Sequence, residues 1–457
     1  MTDDKTLFGV SDGLLPGRVV RLGKPVDWAS ILKASQDRER REKEKRDSSS
    51  SISDLKSSQT SIPSIKPKSK KANTVIEESS SPTDGETETG KQRTAARENS
   101  SSSPSATSSE KLKQLLAEPT LNTEAVRKLA WAGLESEMRS PVWKVLLGYV
   151  PTNLARRNDT LRRKRREYQE AVNQHYDPYL DTKEQSVVTN SSTYNRIGNE
   201  EDVTFRQISV DIPRTCPGQA LFHIPEVQQA LKRILYVWAT RHPASGYVQG
   251  MNDLVTPFLF VFLSEYASVK DDLSLLKATD LSVFDNADEA LSNAEADSYW
   301  CLTALLNDIQ DYYTFSQPGI QRRVHFLREL VARVDGNLCT HLEDEGLDFL
   351  QFAFRWMNCL LMRELPFHLI VRVWDTYLAE TDGFATFHVY VCAALLVTFS
   401  EELQDMDFQD LVMFLQNLPT ESWTNREIDV ILSQAYMWRT IFGAAPSHLQ
   451  QAFQASY

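Results

Sequence analysis

Pro225-Glu-Val-Gln-Gln-Ala-Leu-Lys-Arg-Ile-Leu-Tyr-Val-Trp-Ala-Thr-Arg-His242 is the stretch whose reading decides the fold. Proline is pre-set for a first helical position, and Val227, Leu231, Ile234, Leu235 and Trp238 recur at helical spacing on one stripe. Pro243 then stops the element. Residues 347–365 (LDFLQFAFRWMNCLLMREL) carry the same period on so wide an apolar face that they predict a largely buried helix. Residues 367–378, 387–399, 408–418 and 426–442 continue the pattern. Strand-and-turn alternation is sparse, and no repeat of 30–45 residues recurs, which disfavours a solenoid. The expected fold class is all-α, as a single large multi-helical domain.

Outward from this core the composition changes. Of the 44 aromatic residues in the 457-residue chain, only Phe8 and Trp28 precede residue 111. A packed interior needs such anchors, so the expected division is an N-terminal arm over residues 1–110 and a folded domain over residues 111–457. Residues 48–110 hold 20 serines, one leucine and no aromatic, too little apolar surface to offset the entropy of ordering. That segment is expected to be disordered, with Ser81-Pro82 and Ser103-Pro104 as candidate phosphorylation sites and a regulatory partner as its reader. Residues 7–32 hold enough apolar side chains for a docking motif.

Charge and cysteine usage remove several function classes. The arm carries 19 Lys and Arg against 17 Asp and Glu, whereas the rest carries 31 against 45. So acidic a body disfavours a general nucleic-acid binder, which draws affinity from neutralising phosphates. Five scattered cysteines without a CxxC pair offer neither a disulfide framework nor a zinc site. The longest apolar stretches, residues 254–263 and 389–399, fall short of the ~18–20 residues of a transmembrane helix. Residues 1–5 lack the apolar core of a signal peptide, so the expected protein is soluble and cytoplasmic.

Familiar catalytic constellations are missing: there is no HExxH, no GxSxG and no GxxxxGK[ST]. Two segments remain unusual. In Ile208-Ser-Val-Asp211-Ile-Pro-Arg214-Thr215, apolar residues alternate with polar ones before a proline fixes the chain just ahead of an arginine. Asp211, three residues earlier, is close enough to bind the guanidinium or cap a turn. In Ser245-Gly-Tyr247-Val-Gln249-Gly-Met-Asn252, the flanking glycines permit close approach of another molecule. On spacing alone, a surface ion pair and an ordinary loop account for the two segments.

With these residues the chain resembles the TBC-domain family, the activators of Rab GTPases. The family's IxxDxxR motif is matched by Ile208, Asp211 and Arg214, and its YxQ motif by Tyr247 and Gln249, followed by Gly250-Met251-Asn252. Arg139 and Trp143 match RxxxW; Glu295-Ala296-Asp297 matches the EAD segment; Arg355-Trp356, Arg363-Glu364 and Trp374-Asp375 match the FRW…RE…WDTY signature. The matches run in family order over about residues 133–380. In detail the chain is similar to the Golgi-associated group, including the TBC domain family member 22 type. One departure is Glu135 after Gly133-Leu134, where the family often has proline.

The resemblance implies a multi-helical TBC domain that accelerates GTP hydrolysis by a GTP-bound Rab. Arg214 would be the arginine finger and Gln249 the glutamine finger that orients the water, with Asp211, Tyr247 and Asn252 in support. It implies no cofactor of the protein's own, because GTP and Mg²⁺ belong to the partner, and a peripheral location at Golgi membranes. The alternatives are a non-catalytic Rab-binding module on the same domain and an adaptor that works through the arm. Among the other signature residues, Trp143, Trp300, Trp356 and Trp374 are expected as core anchors. Arg139, Arg355, Arg363, Asp297, Glu364 and Asp375 are expected as internal ion pairs, and the basic run 162–166 as a solvated helix face. Tyr247 either packs beneath the Gln249 loop or touches the GTPase.

Overall fold

The computed structural model describes residues 104–176, 200–268 and 271–443. Residues 48–103 of the serine-rich stretch, the docking motif at residues 7–32 and the tail 444–457 lie outside the described residues. Residues 104–110, expected to be disordered with the rest of that stretch, are instead the first turns of a helix that continues into the apolar residues after 110. Seventeen α-helices occur among the described residues, in this chain order: α1 Pro104–Ala117, α2 Thr123–Ala130, α3 Ser136–Leu146, α4 Leu154–His175, α5 Glu200–Asp211, α6 Pro225–Arg241, α7 Met251–Ser264, α8 Asp272–Leu276 and α9 Ala287–Asp308. They continue as α10 Pro318–Val334, α11 Gly336–Asp344, α12 Phe349–Asn358, α13 Phe367–Ala379, α14 His388–Thr398, α15 Ser400–Gln404, α16 Phe408–Gln416 and α17 Asn425–Phe442. The extended pairings of the described residues are two isolated bridges, so the all-helical expectation holds there. Helix α1 runs across residue 110, and its Leu112 is buried in the common core.

The centre is α7. Every residue from Met251 to Leu263 is buried, because α9, α3 and α6 pack around it. A helix that is apolar on all sides is stable in water only when enclosed in this way. Helix α6 forms as its sequence predicts, with Pro225 at its first turn and its stripe buried. The signature residues knit the helices to one another. Asp375 of α13 accepts hydrogen bonds from the Trp143 indole at 2.8 Å, the Leu134 amide at 3.0 Å and Arg139 at 3.2 Å. Asp297 of α9 holds Arg165, Lys144 and Tyr149, and the neighbouring Glu295 holds Arg233 and Tyr168. Trp143, Trp356 and Trp374 are fully buried. Trp300 is half-buried, its indole N–H on the Lys164 carbonyl and the Lys164 ammonium 3.7 Å over its ring. In the basic run, Arg162 and Arg163 face solvent, but Arg165 turns inward to Asp297 because it shares a helix face with the buried Tyr168.

Residues 347–365 differ from expectation. They form α12, which stops at Asn358, and then a turn in which Leu360 and Leu361 take left-handed backbone with φ of 49° and 61°. Both leucines are fully buried, so their packing holds a conformation that branched side chains otherwise avoid. An ion pair closes the break: Arg355 forks onto Glu364 with two bonds of 2.7 Å. In a continuous helix these residues would lie about 13.5 Å apart along the axis, out of reach. The interruption leaves Asn358 at a helix end and returns Arg363 to α7, where it binds Asp253 at 2.8 Å.

Candidate functional site

Helix α5 ends at Asp211, and a single 3-10 turn, Ile212–Arg214, follows it. Pro213 lies inside that turn, where its fixed φ suits the geometry. Because the segment is helical, the alternation of Ile208, Val210 and Ile212 resolves onto two faces. Ile208 and Ile212 are fully buried, whereas Val210 is 64% exposed. The turn brings the Arg214 guanidinium back onto Asp211 Oδ1, with Nε at 3.0 Å and Nη2 on the same oxygen. Asp211 is 2% exposed and Arg214 is 56% exposed, so a buried carboxylate anchors an accessible cation. Among the described residues this leaves three of the five guanidinium N–H groups for an incoming anion.

The second segment meets the first at that carboxylate. Tyr247 is buried and its hydroxyl donates to Asp211 Oδ2 at 2.7 Å. Burial and the neighbouring Asp211 push the Tyr247 phenol well above its ordinary range, which keeps it a donor. Asn252 extends the link: its Nδ2 donates to Thr215 Oγ1 at 2.9 Å, the Thr215 hydroxyl donates in turn to the Asp211 carbonyl at 3.0 Å, and Asn252 Oδ1 accepts from the Gly250 amide at 3.1 Å. Four of the residues singled out from sequence, Asp211, Arg214, Tyr247 and Asn252, are therefore one hydrogen-bonded cluster. Gln249 stands at its rim, exposed between the buried Val248 and Gly250.

Gln249 is held from a side that sequence reasoning missed. The Asn358 amide donates to the Gln249 carbonyl at 3.0 Å across the broken end of α12. Gly250 makes room for this contact. Its φ is +108°, and a Cβ there would lie 2.4 Å from Asn358 Nδ2. Below the loop, Asp253 binds Arg363, yet burial outweighs that cation and raises its carboxyl. Near the same group, desolvation and the Asp253 charge push the buried Cys359 thiol and the half-buried Cys216 thiol up to about 12. The cluster therefore offers an outward cation and an outward amide on a rigid base. It has no activated nucleophile of its own.

The family model described as Rab-GTPase-TBC domain matches residues 136–404. The GTPase-activating protein gyp1 of Schizosaccharomyces pombe is 49% identical over 342 residues, which is 75% of this chain and 62% of that protein. TBC1 domain family member 22B of Homo sapiens is 47% identical over 343 residues, 75% of this chain and 63% of that protein. Among solved structures, the crystal structure of the Ypt/Rab-GAP domain of Gyp1p superposes with a TM-score of 0.67 at 42% identity, over 74% of this chain and 100% of that chain. This chain thus spans less than two thirds of the length of either curated relative.

Proposed function

The chain belongs to the Rab-GTPase-TBC domain family, and from that premise we propose that it is a GTPase-activating protein for a Rab-family small GTPase. Hydrolysis of GTP spreads negative charge over the phosphoryl oxygens and needs a water held in line with the γ-phosphate. Arg214 supplies the positive charge. Its planar fork meets the phosphoryl oxygens in a geometry that lysine does not reproduce, and such a residue given in trans is worth ~10³–10⁵ in rate. Gln249 orients the water with its amide. Asp211 fixes Arg214, and Tyr247 and Asn252 fix the two segments against each other. GTP and Mg²⁺ arrive with the partner.

One observation carries this reading: an exposed guanidinium and an exposed glutamine rise from two segments joined through the same buried carboxylate. The relatives' names, GTPase-activating protein and Ypt/Rab-GAP domain, support it. The reading includes a peripheral place at Golgi membranes, on the resemblance to that group, and a regulatory partner for the serine-rich arm. No helix of the described residues is long and apolar enough to cross a membrane. A hydrolysis assay over a panel of GTP-loaded Rabs tests the proposal. Stimulation of one or a few members is the expected result; Rab binding without stimulation would mark a capture module, and neither would mark an adaptor.

A further inference from the structure

Eleven large apolar side chains stand exposed among the described residues, and Phe315 is the most exposed of them at 70%. Scattered exposed side chains need no explanation. This one differs in how its loop is held. Tyr312, Tyr313 and Gln317 on either side are buried. Ser316 and Gln317 take left-handed backbone with φ of 61° and 46°, which residues other than glycine adopt only where their surroundings enforce it. Within the loop the Gln317 amide donates to the Tyr312 carbonyl at 2.9 Å, and Asn358 ties the loop to the rest of the site. Tyr313 donates its hydroxyl to the Asn358 carbonyl at 2.8 Å, and the Gln317 amide donates to Asn358 Oδ1 at 3.4 Å. The other end of the same side chain holds the Gln249 carbonyl at 3.0 Å. One asparagine thus separates the Gln249 loop from the loop that carries Phe315.

We propose that Phe315 is a docking residue for the GTP-bound Rab, an apolar contact to the surface bordering the partner's nucleotide site, made as Gln249 enters that site. The inference rests on the Rab-GAP reading. A partner footprint of about 800 Å² reaches roughly 16 Å from its centre. Centred on Arg214 and Gln249, it extends well beyond the hydrogen bonds of 2.8, 3.0 and 3.4 Å through which Asn358 joins the two loops. An aromatic side chain has few rotatable bonds, and one carried on a loop that is already held loses little freedom on binding, so such residues contribute most to these contacts. Val210, exposed and one residue before Asp211, gives the Arg214 side an apolar flank of the same kind.

The test compares the full chain with its Phe315→Ser and Phe315→Leu variants, on the GTP-loaded Rab to which the parent responds most. Phe315→Ser is expected to raise KM about tenfold while kcat stays within about twofold, and Phe315→Leu to recover most of the loss. Coincident melting curves exclude misfolding, and Phe315→Gln takes the place of a serine variant that melts early. An unmoved KM, or a fall confined to kcat, overturns the inference. Arg214→Ala in the same assay separates the two levels. If it loses turnover while Phe315→Ser leaves KM unmoved, the Rab-GAP reading stands and the docking role falls. If Arg214→Ala keeps full turnover, or no Rab responds, the reading falls and the inference with it.

Discussion

Arg214 and Gln249 are presented in opposite ways. The arginine is held by its functional group: Asp211 grips the guanidinium itself, and the buried carboxylate is steadied in turn by Tyr247. The glutamine is held by its backbone, with Asn358 on its carbonyl and Gly250 and Val248 buried on either side, while Gln249 itself is exposed. The difference follows from the side chains. A long guanidinium loses much rotamer entropy when it is fixed, and a carboxylate three residues away fixes it in advance. On the proposed reading the Gln249 amide turns a water toward a phosphate and needs its own donors and acceptor unoccupied, so only its backbone can be anchored.

The comparison breaks most visibly at the arginine. Arg214→Ala should lower kcat/KM by roughly 10²–10⁴ with little change in Rab affinity, and Arg214→Lys should restore only a small part. Stopped-flow phosphate release and a binding titration read the two quantities separately. The next largest effect is on the backbone clamp. A methyl at Gly250 meets the Asn358 amide and sits in left-handed backbone, so Gly250→Ala should displace the loop. It should cut kcat by about 10–100-fold and cost about 1–3 kcal/mol of stability. Asn358→Ala should move kcat in the same direction. Full activity in Gly250→Ala would show that the clamp does not govern Gln249. The smallest effect tests the bridge between the segments. Tyr247→Phe removes the hydroxyl that donates to Asp211 and should cost about 1–2 kcal/mol in a melt. Its kcat should fall by no more than about tenfold, because Arg214 keeps its own bonds to Asp211.

What was legible in the sequence follows the same division. The Asp211–Arg214 contact could be read because it is local, an aspartate three residues away with a proline between, whereas the role of Arg214 came only from the family resemblance, since spacing alone reads as a surface ion pair. The helices around it could be read from period alone, and α6 begins where Pro225 predicts. The Asn358 clamp could not, since 109 residues separate it from Gln249 and an asparagine inside an apolar run carries no signal of a partner. Nor could the break after Asn358 be read. Leu360 and Leu361 are good helix formers, and what accompanies their departure from the helix, their burial and the Arg355–Glu364 fork, is tertiary and has no local signal. Arg165 was hidden for a related reason, because one residue of a basic run turned inward to Asp297 looks in sequence like its solvated neighbours.

The central claim is that catalysis uses both segments, with Gln249 and not the partner's glutamine orienting the water. Single-turnover hydrolysis over four pairings tests it most directly: parent chain or Gln249→Ala, each with a responsive Rab in its normal form or with its own switch glutamine changed to alanine. The account predicts that the parent still stimulates the altered Rab, that Gln249→Ala loses most stimulation on the normal Rab, and that the doubly altered pair shows almost none. An altered Rab that stays inert with the parent, together with a Gln249→Ala chain that is nearly as active as the parent, would contradict it and leave Arg214 as the single finger.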